Sequence, residues 1–502
     1  MAAALGTSKS TRSPVCRFAK SGKREMLTTK VTKDTKVTKS PSGFRGLRDL
    51  RVLRGVGAVL VVFGYVASIQ AADGIPLIDA ARSADTAALR SLLNQRVDVN
   101  AAAADGTTAL HWASYRDNLE GANLLIRAGA KVNAANDLGA TPLWTASMNG
   151  STAMVRALLQ AGADPNLALL LGETPLMAAS RSGNPDVVVE LLDKGANMNA
   201  RGPRGQTALM WAVSEQHPEI VKALLAHGAD LRAKSDVWSD MMAVPPHGKP
   251  EYNRLIPHGG DTALMFAARV GDLTSAQLLI AAGANVNDAD AWGVSAMVLA
   301  AHSGFTEMVE FLLGKGANAN AIGPGFTALH EAIMRRDEKM VAALLAHGAN
   351  PNTPLQTWTP ERRSSADFNF APSLVGATPF WLAAHFREPA IMRLLVKQSA
   401  DPLFVLRNEY YVNDFNDRRT QASTALMAAL GIGGGRAWVL PDRAQLEALV
   451  LESAKLAIEL GIDVNAVNTD GRTALDIARA SKLEPVVKLL MDHGAKPVKP
   501  AP

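Results

Sequence analysis

Few residues in this chain have the types and spacing that chemistry needs. His217, His227, His247 and His258 lie close together in the sequence, and imidazole is the commonest metal ligand. Their intervals do not match the short ligand spacings of zinc sites. His217-Pro218-Glu219 repeats the opening of a zinc-deaminase signature, but the cysteine pair that completes it is missing. The run Gly431-Ile432-Gly433-Gly434-Gly435-Arg436 invites a phosphate-cradling reading. It lacks the Lys-Ser/Thr of such loops and follows a helical pattern instead of a strand, so it reads as a hinge. Neither a Gly-x-Ser-x-Gly nor a His-Glu-x-x-His occurs. Glu447 and Glu452 read as a solvated helix face. The expectation is a chain with no catalytic residue, metal or cofactor.

The elements that would position any site are unusually regular. Thr108-Ala109-Leu110-His111-Trp112-Ala113 returns as Thr141-Pro142-Leu143, Thr174-Pro175-Leu176 and Thr207-Ala208-Leu209, each 33 residues after the last. A second mark, as in Gly129-Ala130-Lys131-Val132-Asn133, follows each phrase by 21 residues. This ruler marks eleven units. Their first positions are Ile75, Thr108, Thr141, Thr174, Thr207, Thr262, Ser295, Thr327, Thr378, Thr424 and Thr473. A fixed period of this length means stacked supersecondary units. The threonine caps a first helix, and apolar residues such as Val155, Leu158 and Leu159 give a second helix its buried face. Gly162 stands where a left-handed C-cap is wanted. Alanines at Ala178, Ala179, Ala212, Ala267 and Ala268 allow close approach of neighbouring helices. Unit one is degenerate, with Arg96-Val97 in place of Gly-Ala, as terminal units often are.

This pattern resembles the ankyrin repeat, whose signature is Thr-Pro-Leu-His-x-Ala opening the first helix and Gly-Ala-Asp-x-Asn closing the second. The resemblance covers about Gly74 to Pro497. It implies an all-α ankyrin-repeat solenoid of about eleven helix-turn-helix units with short hairpin fingers. It also implies binding of other proteins through the finger turns and the concave face of the first helices. The family histidine survives only as His111 and His330; Trp144, Met177, Met210, Met265, Met297 and Met427 replace it elsewhere.

Four intervals exceed the period. Extra residues fall between Gly228 and Thr262, between Gly348 and Thr378, between Ser399 and Thr424, and inside the tenth helix pair before Gly461. Over residues 232–257, 353–374 and 403–421 the first three hold nine aromatics in 67 residues, against 5% for the chain. With interleaved arginines they form the composition of protein interfaces. The candidate partner-binding residues are Trp238, Tyr252, Trp358, Arg362, Arg363, Tyr410, Tyr411, Phe415, Arg418 and Arg419. The alternative is that these insertions pack onto the array. A small-molecule pocket formed by the aromatic insertions is the second functional reading.

Residues 1–54 are basic and poor in apolar side chains, which predicts disorder. They hold fourteen Lys or Arg against three acids, a net +11, which leaves the rest at −6 against +5 overall. The basic pI of 9.2 thus belongs to the tail, and the array offers nothing for nucleic acid. Residues 55–72 follow Arg48, Arg51 and Arg54 with an apolar run, Val56–Ala67, and then Ala71 and Ala72. That order is a secretory signal; an uncleaved membrane anchor and a buried helix are the alternatives. Met26 as the true start would explain the long basic region. Residues 73–502 are then the array, cysteine-free because Cys16 is the chain's one cysteine. The reading is a bacterial protein, periplasmic or secreted, that binds another protein and meets a membrane only through an uncleaved anchor. Export should therefore fail when Leu60→Arg and Val62→Asp break the run, because a central charge costs about 3 kcal/mol on insertion scales. Fractionation should find the variant in the cytoplasm; an unchanged exported yield contradicts the signal reading.

Overall fold

The computed structural model describes residues 75–243, 253–357, 370–411, 418–432 and 443–498. The readings of 1–54 and 55–72 lie outside them. So do Tyr252, Trp358, Arg362, Arg363, Phe415 and His247, and the Gly433–Arg436 part of the glycine run. Twenty-two α-helices form eleven antiparallel pairs among the described residues. All eleven first positions of the sequence ruler are N-caps of first helices, from Ile75 to Thr473. At Thr141, Thr174, Thr207, Ser295, Thr424 and Thr473 the hydroxyl accepts the N–H three residues on. That bond satisfies a donor the helix itself cannot.

First helices pack on first helices and second on second. The alanines that permit this are buried: Ala178 is 1% exposed, and Ala179, Ala212, Ala267 and Ala268 are fully covered. The closing glycines run left-handed, as at Gly162 (φ 88°) and Gly283 (φ 100°), where a Cβ would meet nothing within 4 Å. Backbone conformation alone selects glycine there. Arg96 and Ser399 occupy the same left-handed position, at φ 57° and 65°.

The second mark's asparagine clips most units to the next. Asn133 Nδ2 donates to the Gly162 carbonyl at 3.2 Å, and its Oδ1 accepts the Asp164 N–H at 2.8 Å. Asn100, Asn166, Asn287, Asn320 and Asn352 repeat both bonds. Arg232 and Leu403 stand where the asparagine should be. An antiparallel hairpin emerges just after each. β1 (Trp238–Ala243) pairs with β2 (Asn253–His258), and β3 (Val405–Tyr411) with β4 (Arg418–Thr424). The insertion between units eight and nine keeps its clip and ends in a short turn, Pro372–Leu374. The fourth insertion lengthens the second helix of unit ten to Arg443–Glu459, 17 residues where the other second helices have nine.

His111 and His330 each join their own helix cap to a backbone carbonyl of the following connection. Nδ1 of His330 accepts the Thr327 N–H at 3.0 Å, and Nε2 donates to the Thr353 carbonyl at 3.1 Å. His111 repeats this with Thr108 and Ala140. A ring that accepts at one nitrogen and donates at the other is neutral. Burial pushes the His330 pKa down to about 4 and lowers that of His111. Unfolded histidine titrates near 6.5, so between about pH 6.5 and 4 the unfolded chain binds the extra proton. The stabilisation is complete above that window and lost as pH falls through it, to the order of 3 kcal/mol. A His330→Met variant, with the residue other units use there, should show a shallower fall in urea midpoint from pH 7 to 4.5. Identical slopes would mean the ring titrates normally. Separately, Ser399→Gly should raise stability by up to about 1 kcal/mol by relieving the left-handed serine; a lowered melting temperature contradicts that.

Candidate protein-binding surface

The first hairpin rises from the seam of units five and six. Trp238 is half-buried. The Arg204 guanidinium lies 4.5 Å from its ring centre, and His258, its cross-strand partner, stacks at 5.7 Å and 21°. The base is pinned by Asp236 N–H to the Arg204 carbonyl, 2.8 Å, and by the Arg201–Asp236 ion pair, 2.6 Å. Further out, Met241 and Leu255 oppose each other across the strands and are 61% and 62% exposed. Fingertip residues Leu170 and Leu171 are 76% and 77% exposed, and Leu170 N–H is bonded to the Leu138 carbonyl of the preceding finger. Counting aromatics missed these aliphatic side chains. The signal was present as Leu167-Ala168-Leu169-Leu170-Leu171, an apolar run in a turn where polar residues are expected.

The second hairpin is anchored both at its base and beside its outer pairs. The Trp381 Nε1–H donates to the Ser423 carbonyl at 3.1 Å, and Thr469 Oγ1 donates to the Thr420 carbonyl at 2.9 Å. Asn408 Nδ2 donates to the carbonyls of Ser373 and Val375, so this hairpin touches the neighbouring insertion. Its far end carries Tyr410 opposite Arg419 and Tyr411 opposite Arg418. Both arginines are exposed, and Arg418 pairs with Glu409. The structure therefore gathers Tyr410, Tyr411, Arg418 and Arg419 on one hairpin end and places Trp238 on another, four units away. Phe370, one of the nine aromatics, is wholly buried, with Phe326 5.6 Å and His330 6.2 Å from it. It serves the packing of the array.

The face of the first helices carries a second pattern. Arg82 lies over Trp112 at 4.8 Å, Arg181 over Trp211 at 5.4 Å, and Arg269 over Phe266 at 5.3 Å. Carboxylates hold two of these guanidiniums: Glu173 on Arg181 at 3.0 Å and Asp261 on Arg269 at 2.7 Å. Burial raises the Glu173 pKa, and the Arg181 charge opposes that rise. In unit eight the same face bears the buried Glu331, whose Oε2 is 3.2 Å from His302 Nδ1. Such cation–aromatic contacts are worth about 0.5–2 kcal/mol and fix side-chain direction before any partner arrives.

A cavity of about 680 Å³ opens at the seam where Arg232 replaces the clip asparagine, lined by Asp230, Arg232, Lys234, Asn285 and Asp288. Among the described residues, none of the insertion aromatics lines it. Of the histidines weighed as ligands, His217 Nε2 lies 3.3 Å from the Arg181 carbonyl and His227 Nδ1 2.8 Å from that of Ala223. His258 stacks on Trp238. Among the described residues no three His, Cys, Asp or Glu converge as a metal site would require.

The family described as ankyrin repeats (3 copies) matches residues 77–169, 166–235 and 254–354. The chain belongs to the ankyrin repeat family. Ankyrin repeats (many copies) also match residues 209–280. The helical register carries the array three units past residue 354, through the two departures that lengthen units nine and ten. Mouse Rabankyrin-5 is 29% identical over 208 residues, 40% of this chain and 16% of that protein. A putative ankyrin repeat-containing protein of Treponema pallidum (strain Nichols) is 39% identical over 94 residues, 18% and 32%. The chain thus spans well under half the length of these relatives. The human ASB11 ankyrin repeat domain is 30% identical at a TM-score of 0.40, covering 48% of this chain and 98% of that domain. Ankyrin repeats generally mediate protein–protein interaction.

Proposed function

We propose that this ankyrin array is a non-catalytic protein that holds another protein between its fingertips and its two hairpins. Its site of action is the bacterial periplasm or the cell exterior, with an uncleaved anchor as the variant of that reading. The observation that carries the proposal is the contrast within each hairpin. The bases are fixed by hydrogen bonds and an ion pair, whereas Met241, Leu255 and the Tyr410–Arg419 pair stand at the open ends. Exposed apolar and aromatic–arginine groups on a pre-ordered support are what interface hot spots are made of. Export rests on the order of basic, apolar and small residues in 48–72. The alternative of a small-molecule pocket walled by the aromatic insertions finds less support, because the cavity at the hairpin seam is polar and of mixed charge.

Two variants separate binding from packing: Met241→Ser/Leu255→Ser on the first hairpin and Tyr410→Ala/Tyr411→Ala on the second. Each is measured for melting temperature and for affinity to the partner captured from its own organism's periplasm. Hot-spot loss weakens binding by about thirtyfold or more, at least about 2 kcal/mol, with melting unchanged. Lowered melting with affinity retained would make the hairpins internal supports and would end the proposal.

A further inference from the structure

Seven seams of the array are closed by the same two hydrogen bonds. In each, an asparagine Nδ2 donates to the carbonyl of the next unit's closing residue and its Oδ1 accepts the N–H two residues on, at 2.7–3.2 Å. A primary carboxamide carries donor and acceptor on one planar group, so it reads that carbonyl and that N–H together. At the seam of units five and six the matching groups are the Gly283 carbonyl and the Asn285 N–H. Neither makes a hydrogen bond with any of the described residues.

The two groups are nevertheless presented as at a closed seam. Asn285 Oδ1 accepts the Asn287 N–H at 3.1 Å, as Asp164 Oδ1 accepts that of Asn166 at 2.8 Å. Ala284 N–H bonds to the Leu279 carbonyl as Ala163 N–H does to that of Leu158. The second helices Pro218–Ala226 and Leu273–Ala281 pack on each other as second helices do elsewhere. On the other side of the seam, Asp230 Oδ1 accepts the Arg232 N–H at 2.8 Å, the bond that Asp164 makes to Asn166. What differs is the side chain. Arg232 is exposed, and its guanidinium makes no hydrogen bond or ion pair with the described residues.

The cavity of about 680 Å³ opens at this place, with Gly283 and Asn285 themselves in its lining. That is the size of a small-ligand site. Its charges balance, Asp230 and Asp288 against Arg232 and Lys234. Asp288 Oδ1 accepts from Asn285 Nδ2 at 2.9 Å, and Lys234 Nζ donates to the Ala289 carbonyl at 3.2 Å. A carboxylate cannot donate to the Gly283 carbonyl, and an ammonium cannot accept the Asn285 N–H. A neutral group with both functions satisfies the pair.

We propose that this open seam binds the side-chain carboxamide of an asparagine or glutamine carried by a partner protein, which completes the clip the array lacks there. The proposal rests on the array being a protein-binding surface, and it does not involve the hairpin ends.

The full chain is titrated with the pentapeptide acetyl-Gly-Ser-Asn-Ser-Gly-amide while its backbone amide resonances are followed by NMR. The same peptide with Ala or Asp at its centre is titrated alongside. The asparagine peptide should shift the Asn285 N–H resonance saturably, and the other two should bind about tenfold more weakly or worse, the effect of losing two hydrogen bonds. Arg232→Asn rebuilds the clip from within the chain. It should move the Asn285 resonance without peptide, melt higher than the unmodified chain and no longer respond to the peptide. The probe is a peptide and the readout one amide at the seam, so hairpin variants that leave partner affinity unchanged would not alter this result. Equal binding of the alanine peptide would mean main-chain pairing, and equal binding of the aspartate peptide a carboxylate held by Arg232. Either outcome overturns the proposal, as does an Asn285 resonance that shows no saturable shift or a peptide response retained in Arg232→Asn.

Discussion

One helix pair of this length cannot bury its apolar face by itself. Each face is covered only when the next unit stacks in the same register, so stacking is the interaction on which everything else rests. Alanine at the first-helix contacts, leucine and valine on the second helices, and the left-handed glycine that turns the chain all serve that one contact. Where it is present, the asparagine clip adds up to two hydrogen bonds to a seam and ties a unit to its successor. Register is therefore set locally, thirty-odd residues at a time, and an array can absorb insertions without losing it.

The insertions show how that tolerance is used. Both hairpins leave the array at seams where the clip is gone, after Arg232 and after Leu403. Where the clip is retained, at Asn352, the end of the insertion places Phe370 in the core. Removing the clip costs two bonds at a seam and frees the turn to extend as paired strands. New surface is thus gained where the stack is least tied together, and the neighbouring units hold its base.

Most of the fold was legible because its determinants are local. A threonine cap, an apolar pair at helical spacing and a left-handed glycine each lie within a few residues of what they specify. All eleven caps fell where the period placed them, including the degenerate Ile75. The candidate surface was less legible. Composition located the insertions but could not tell Phe370, which turns inward, from Tyr410, which stays at a hairpin end. Met241 and Leu255 were missed because their exposure is a matter of strand pairing.

Hydrogen exchange with and without the bound partner tests the central claim most directly. The account predicts new protection in 238–243, 253–258, 405–411 and 418–424, together with the fingertip amides near Leu138 and Leu170. Exchange in the second helices should stay as it is in the free chain. Protection confined to the second helices, with both hairpins exchanging as freely as before, would contradict it.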